Sequence, residues 1–211
     1  GTDAYRQEIM AEFLENAGAV FRNIAACLHA PEGTDPGDVL HHHIVGAVDW
    51  GKEHDFTVVC IFDATTRQEL ELFRTNKVDY HFQYQQIAAL CETWGVDELW
   101  VEHNSIGSPG FEALDRAGLP VVAFETTGTS KPPLIESLAL AFEREEAQWL
   151  NIPVATGELE AYERKVSAAT GRSSYGAPSG LHDDTVIARA LAWWGAVNRP
   201  QAALRRVAVT G

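Results

Sequence analysis

A chain of 211 residues fits one medium domain and is too short for two full-sized enzyme domains. Its 16 basic and 30 acidic side chains leave a formal net charge of −14, which excludes a protein that coats nucleic acid by bulk attraction but not a nuclease whose acids are neutralised by divalent metal. Three widely spaced cysteines with no CxxC argue against a disulfide framework and a Cys-rich zinc site.

Residues 1–17 predict a first helix, capped by Thr2 or Asp3 and closed near Gly18, with Ile9 and Phe13, and Met10 and Leu14, one turn apart. PEGTDPGDV (31–39) then reads as a linker. Residues 1–38 are therefore expected to be a helix and linker cut from something longer. From residue 43 the pattern turns to strands. IVGAVD (44–49) and TVVCIF (57–62) are nearly continuous apolar runs, and ELELF (69–73) begins as an alternating strand. Their short connections predict an antiparallel meander. Ile87, Leu90, Cys91 and Trp94 mark a helix. ELWV (98–101), a helix over about 107–117 and PVVAF (120–124) make a strand–helix–strand unit with parallel strands. Leu134, Leu138, Ala141 and Phe142 mark another helix, and Leu159 to Val166 a shorter one. A Gly- and Ser-rich loop or hairpin (167–180) leads to a last helix that starts at His182 or Asp183. The expected fold is α/β over residues 39–200: a central five-stranded mixed sheet, three antiparallel plus two parallel strands, flanked by helices. Residues 201–211 form a tail.

Acids recur where strands end and helices begin. Asp49 ends the first strand, Glu102 ends the fourth, and Asp183 and Asp184 open the last helix. The rim of an α/β sheet is where ligand sites form. Phosphodiester hydrolysis by hard divalent ions needs such oxygen donors, because two ions activate water and stabilise the leaving oxygen. The last helix has a buried stripe of Ile187, Ala190, Leu191 and Trp194. Helical phase puts Asp183 about 30° from its centre and Asp184 about 70° away on the other side. Asp183 and Asp184 equally suit helix capping, and Asp49 suits a turn before Trp50-Gly51.

AVDWG (47–51), VEHNSIG (101–107) and GLHDDTVIARALA (180–192), in that order, resemble the nuclease domain of phage large terminase subunits, an RNase H-like fold. YRQEIMAEFLENAGAVF resembles the segment that joins the terminase ATPase to its nuclease, so the likeness spans nearly the whole chain. The resemblance implies a metal-dependent endonuclease that cuts concatemeric viral DNA during genome packaging by two-metal-ion hydrolysis, with Mg²⁺ or Mn²⁺ as cofactor. Matched to its motifs, Asp49, Glu102, Asp183 and Asp184 become catalytic metal ligands; Glu102 stands where Asp is more usual. The implied partners are double-stranded DNA, the ATPase domain of the same parent protein, the portal and the small terminase. The implied location is the cytoplasm of an infected or lysogenic bacterial host. No GxxxxGK[ST] occurs in this chain.

Lys131, Arg164, Lys165 and Arg172 are candidate DNA contacts; a solvated loop lysine is the plainer reading of Lys131, and an ordinary surface loop accounts equally well for the other three. Asp55 reads first as a surface hairpin acid, with reach to a metal as the lesser alternative, Asp63 as a turn residue, and His54, His103 and His182 as polar neighbours of the acids rather than substrate contacts. His41, His42 and His43 alternate along the chain and do not read as a zinc site. No apolar run nears the ~18 residues of a membrane span, and the N-terminus lacks a signal-peptide pattern, so no membrane partner is expected. A Holliday-junction resolvase or transposase-like nuclease would share the acids, and an inactive docking module of a packaging motor would share the fold. An actin-like kinase needs further glycine-rich phosphate loops. Neither a GxSxG hydrolase motif nor an H-x-E…PCxxC deaminase motif occurs.

Overall fold

The computed structural model describes residues 18–51, 55–76, 79–103, 108–166, 171 and 173–198. The helix expected before Gly18, the tail from 201, His54 and Arg172 lie outside these described residues. The three apolar runs become β1 (Ile44–Asp49), β2 (Thr57–Asp63) and β3 (Gln68–Thr75), an antiparallel meander. At the β2–β3 turn Asp63 accepts the N–H groups of Thr65 and Thr66 and the Thr66 hydroxyl, the turn role expected of it. Burial pushes the Asp63 carboxyl up, but these bonds and the His42 ring outweigh it and hold it below its usual range.

A short helical turn, α1 (Ile24–Cys27), precedes the meander, and α2 (Tyr80–Trp94) follows it. Asp79 caps α2 by accepting the Phe82 N–H, and Gly95 ends it in the left-handed region. Then β4 (Glu98–Glu102), α3 (Ser108–Arg116) and β5 (Val121–Phe124) form the parallel unit. Because β4 pairs with β1, the strand order is β3-β2-β1-β4-β5. The expected five-stranded mixed sheet is present. The chain continues through α4 (Lys131–Glu143), α5 (Pro153–Ala161), the hairpin β6 (Glu163–Val166) and β7 (Ser173–Gly176), and α6 (Asp184–Val197).

Alternation along each strand sorts side chains onto two faces. Ile44, Val48, Val59, Ile61, Leu99 and Val101 pack with α2 and with Leu114 of α3. Val45, Ala47, Val58, Cys60, Phe62 and Trp100 pack with α6, which lies over β1 and β2 and is backed by α4 and α5. Burial of each large apolar side chain contributes about 1.5–3 kcal/mol. Phe21 and Cys27 join the α6-side core, and the Trp149 N–H donates to the Cys27 carbonyl at 2.8 Å, so residues 18–30 pack onto the sheet domain. Among the described residues, no helix is long and apolar enough to cross a membrane.

Three local expectations change. The short helix runs over α5 rather than to Val166, because Pro153 starts it and Tyr162 ends it in an extended conformation; Glu163–Val166 then pair as a strand. Lys131 is the first residue of α4, with the following prolines in its first turn, rather than a loop residue. The last helix begins at Asp184 and is buried almost all round, Trp193 more deeply than the stripe residue Trp194. A helix wedged between a sheet and two other helices needs no polar face.

Candidate metal centre

Val48 of β1 pairs in parallel with Val101 of β4, so one step further Asp49 and Glu102 end their strands at the same sheet edge. Both share the alternation of Ala47 and Trp100 and point toward the face under α6. Asp49 is only 7% exposed. Burial pushes its carboxyl well above the usual range, and the charges of Glu102, Asp184 and Asp183, with a hydrogen bond to Glu102, push it the same way.

The α6 start supplies the other acids. Asp184, 8% exposed, accepts the Phe56 N–H on Oδ2 at 3.1 Å. Burial pushes its carboxyl up to about 6; the Phe56 bond opposes this, Glu158 and Asp55 reinforce it, and His182 opposes it. Asp183 sits at the N-cap with a non-helical backbone and makes no side-chain capping bond. Its Oδ2 instead lies 3.3 Å from Lys131 Nζ. Helical phase does not extend to a residue outside the helix, so Asp184 rather than Asp183 is the buried member. The N–H of Thr185 is taken by Glu158 of α5 at 2.8 Å. Capping therefore accounts for neither aspartate.

Asp55 and His182 belong with them. His182 Nδ1 lies 3.3 Å from Asp55 Oδ1 and 3.8 Å from Asp184 Oδ2. Ligand atoms of Asp55, His182 and Asp184 all fall within 4.8 Å of one another, a spacing that can hold a metal ion. The glycine of AVDWG makes this possible: a Cβ on Gly51 would meet the Asp55 carbonyl oxygen and the Phe56 carbonyl carbon at 2.6 Å. Only glycine lets the returning chain lie this close to the end of β1. Trp50 is buried against Gly110 of α3, where a Cβ would meet its ring at 2.5 Å. Trp50 and Gly51 thus build the edge on which Asp49 stands.

No protein-family model matches the chain. Over 197 residues, 90% of this chain, the sequence is 28% identical to the terminase large subunit of Thermus virus P23-45. The match takes in 40% of that protein, so the chain spans about two-fifths of its relative's length. Its fold superposes on the crystal structure of the large terminase nuclease from thermophilic phage G20c with bound magnesium at a TM-score of 0.76 and 24% identity, covering 83% of this chain and 96% of that one. The cobalt-bound form of the same nuclease gives 0.72 and 25%, covering 83% and 96%. In sequence the chain is similar to a phage terminase large subunit, and in fold to phage large terminase nucleases.

In this terminase nuclease fold the cationic candidates separate. Lys131 reaches the acids through Asp183. Arg164 donates to Ser173 Oγ across the β6–β7 hairpin, and Lys165 pairs with Glu163 on its own strand; both are exposed. A cavity of about 300 Å³ lies between the start of α4 and β7, lined by Thr126, Thr127, Lys131, Ser173, Ser174 and Tyr175. His103 lies edge-on to Phe111, its centroid 5.0 Å away. His42 pairs with Asp63 and His43 with Asp97, so these two histidines serve different carboxylates. The residues that escaped sequence reasoning are Glu158, Arg74 and the fully buried pair Glu69 and Arg189. Arg189 had a signal: one charge in an otherwise apolar helix stretch is almost always paired. Glu158 had none, because an acid on a short helix normally faces water.

Proposed function

We propose that this chain is a Mg²⁺- or Mn²⁺-dependent endodeoxyribonuclease domain that hydrolyses phosphodiester bonds of double-stranded DNA, and that it cuts concatemeric viral DNA during genome packaging. The observation that carries this reading is the crowding at Asp49, a buried carboxyl beside three other acids whose effects all push its pKa upward. Structural proteins rarely retain such a set without a counter-ion. Hard oxygen donors suit Mg²⁺ and Mn²⁺, so the donor set fits the metal. Asp49, Glu102 and Asp184 form the inner ligands, with Asp183, Asp55 and His182 at the mouth. Two ions bound there would supply a metal-activated water and charge stabilisation on the scissile phosphate.

The chain's own residues do the positioning. Asp49 and Glu102 hold their oxygens on a rigid sheet edge, and Phe56 fixes the Asp184 carboxylate. Lys131 stands where it can meet a phosphate, as can Arg164 and Lys165 on the hairpin, and Arg172 is a further DNA contact by its place in the sequence. None of the acids reads base edges, so cutting has little sequence preference. The net charge of −14 makes DNA affinity weak in isolation. The magnesium-bound structure of the G20c nuclease and the relation to a terminase large subunit support this reading. Residues 39–200 are then the nuclease domain, and residues 1–38 lead to it from an ATPase domain of the same parent protein, with residues 18–30 packed onto the nuclease core. The portal and small terminase are further partners, in the bacterial host cytoplasm. Plasmid nicking or linearisation with Mn²⁺ is the expected result. Cutting that survives excess EDTA, or that is confined to four-way junctions, overturns it.

A further inference from the structure

We propose that Glu158 and Arg74 are positioning residues of the acidic site, which fix Asp184 through Thr185 and Phe56. The proposal rests on the metal-binding reading of that site. One closed circuit joins four parts of the fold. Glu158 of α5 is 7% exposed, and its Oε2 accepts both the N–H and the hydroxyl of Thr185, at 2.8 and 2.5 Å. Its Oε1 lies 3.4 Å from Arg74 Nη2, carried by β3. The Arg74 guanidinium carbon sits 3.2 Å from the centroid of the Phe56 ring. The Phe56 N–H donates to Asp184, the residue before Thr185, which closes the circuit.

Asp184 is thereby held at both ends. Its backbone is anchored by the grip of Glu158 on the next residue, and its carboxylate by an N–H whose own residue lies under Arg74. The first N–H groups of a helix have no partner within it, and Asp183 caps none of them. The position of the α6 start therefore depends on Glu158. A bond to an ionised acceptor is stronger and more directional than a neutral one. Arg74 in turn keeps the Glu158 carboxylate from standing buried and unpaired. Small displacements of a ligand degrade a site sharply, which gives the circuit its leverage.

Plain stabilisation of α6 would use the same bonds, so the test separates the two. Glu158→Ala, Glu158→Gln and Arg74→Met are compared with Leu114→Ala, a core truncation on the opposite sheet face, in the 211-residue chain. The readouts are amide hydrogen exchange at Phe56 without metal and Mn²⁺ affinity by calorimetry. Glu158→Ala and Arg74→Met are expected to speed Phe56 exchange and weaken Mn²⁺ binding by about tenfold or more. Glu158→Gln keeps an acceptor for Thr185 and recovers most of that loss. Leu114→Ala lowers the thermal midpoint yet leaves both readouts at wild-type values. Unchanged Phe56 exchange in the circuit variants, or equal loss of Mn²⁺ affinity in Leu114→Ala, overturns the proposal. Should Glu158→Ala not fold, Arg74→Met carries the same two readouts. Should wild-type protein bind no Mn²⁺, the metal reading fails, and Phe56 exchange alone decides the positioning claim: faster upholds it, unchanged overturns it.

Discussion

Two groups of buried charge lie under α6 and are held in opposite ways. Arg189 and Glu69 are fully buried, and the guanidinium donates to both carboxylate oxygens at 3.0 and 2.7 Å. Glu69 also accepts the Leu150 N–H, and Arg189 donates to the Leu150 carbonyl, so the two charges are matched within the fold and only Nη1 of the guanidinium is left without a hydrogen-bond partner. Asp184, five residues earlier and about 7.5 Å along the helix axis, lies among Asp49, Asp55 and Glu158 instead. There acids meet acids. One cluster is balanced in charge as folded; the other gathers carboxylates whose like charges are not balanced within it. Burial alone therefore does not mark a site, whereas buried charge of one sign does.

The largest expected effect tests the second cluster. Asp49→Asn or Asp184→Asn should reduce Mn²⁺-dependent plasmid cutting to background, since an amide keeps the shape but loses the ligand charge. The metal-free thermal midpoint should stay level or rise, because a repelling member is gone. Variants that melt early but still cut would show the acids to be structural.

Arg189→Met should do the reverse. It strands Glu69 in the core and should lower unfolding free energy by about 3–5 kcal/mol, measured by urea denaturation. A loss below about 1 kcal/mol would mean that the pair is not compensated as described.

The pH dependence separates the clusters further. Asp184 stands near 6 in the fold against an ordinary 3.8, so the native state binds the extra proton between those values. Metal-free stability should be full below pH 4 and decline as pH rises through about 6, by on the order of 3 kcal/mol from this group. Asp49 is shifted in the same direction and adds to the decline. Saturating Mn²⁺ should reverse it at pH 7, by about 2.7 kcal/mol when the ion is at a hundred times its dissociation constant. Thermal melts across pH, with and without Mn²⁺, check both signs; a metal-free protein that gains stability from pH 4 to 7 contradicts them.

The smallest effect is at the rim. Lys131 and Asp183 are each about one-quarter exposed, and Lys131→Met should change stability by less than about 1 kcal/mol. If Lys131 meets phosphate, the same variant should raise the KM for DNA more than it lowers kcat.

Chain order and hydrophobic pattern made much of this legible. The runs at 44–49, 57–62 and 98–101 marked three strands because continuous apolar segments bounded by turn residues have few other solutions. Asp49 and Glu102 were legible as a pair because each ends such a run, and two parallel strands deliver their ends to one edge. Other choices were made only by the tertiary structure. Asp184 is the buried aspartate because the helix starts there, and that start is set by Glu158, which stands in a different helix. Asp55 and His182 join the site because Gly51 lets the chain fold back onto β1. The pairing of Arg189 with Glu69, like the grip of Arg74 on Phe56, links residues far apart in the chain. Periodicity reports which face of an element is buried, since that depends on neighbours three or four residues away. It carries no information on which distant charge will lie opposite, because only packing brings the two elements together.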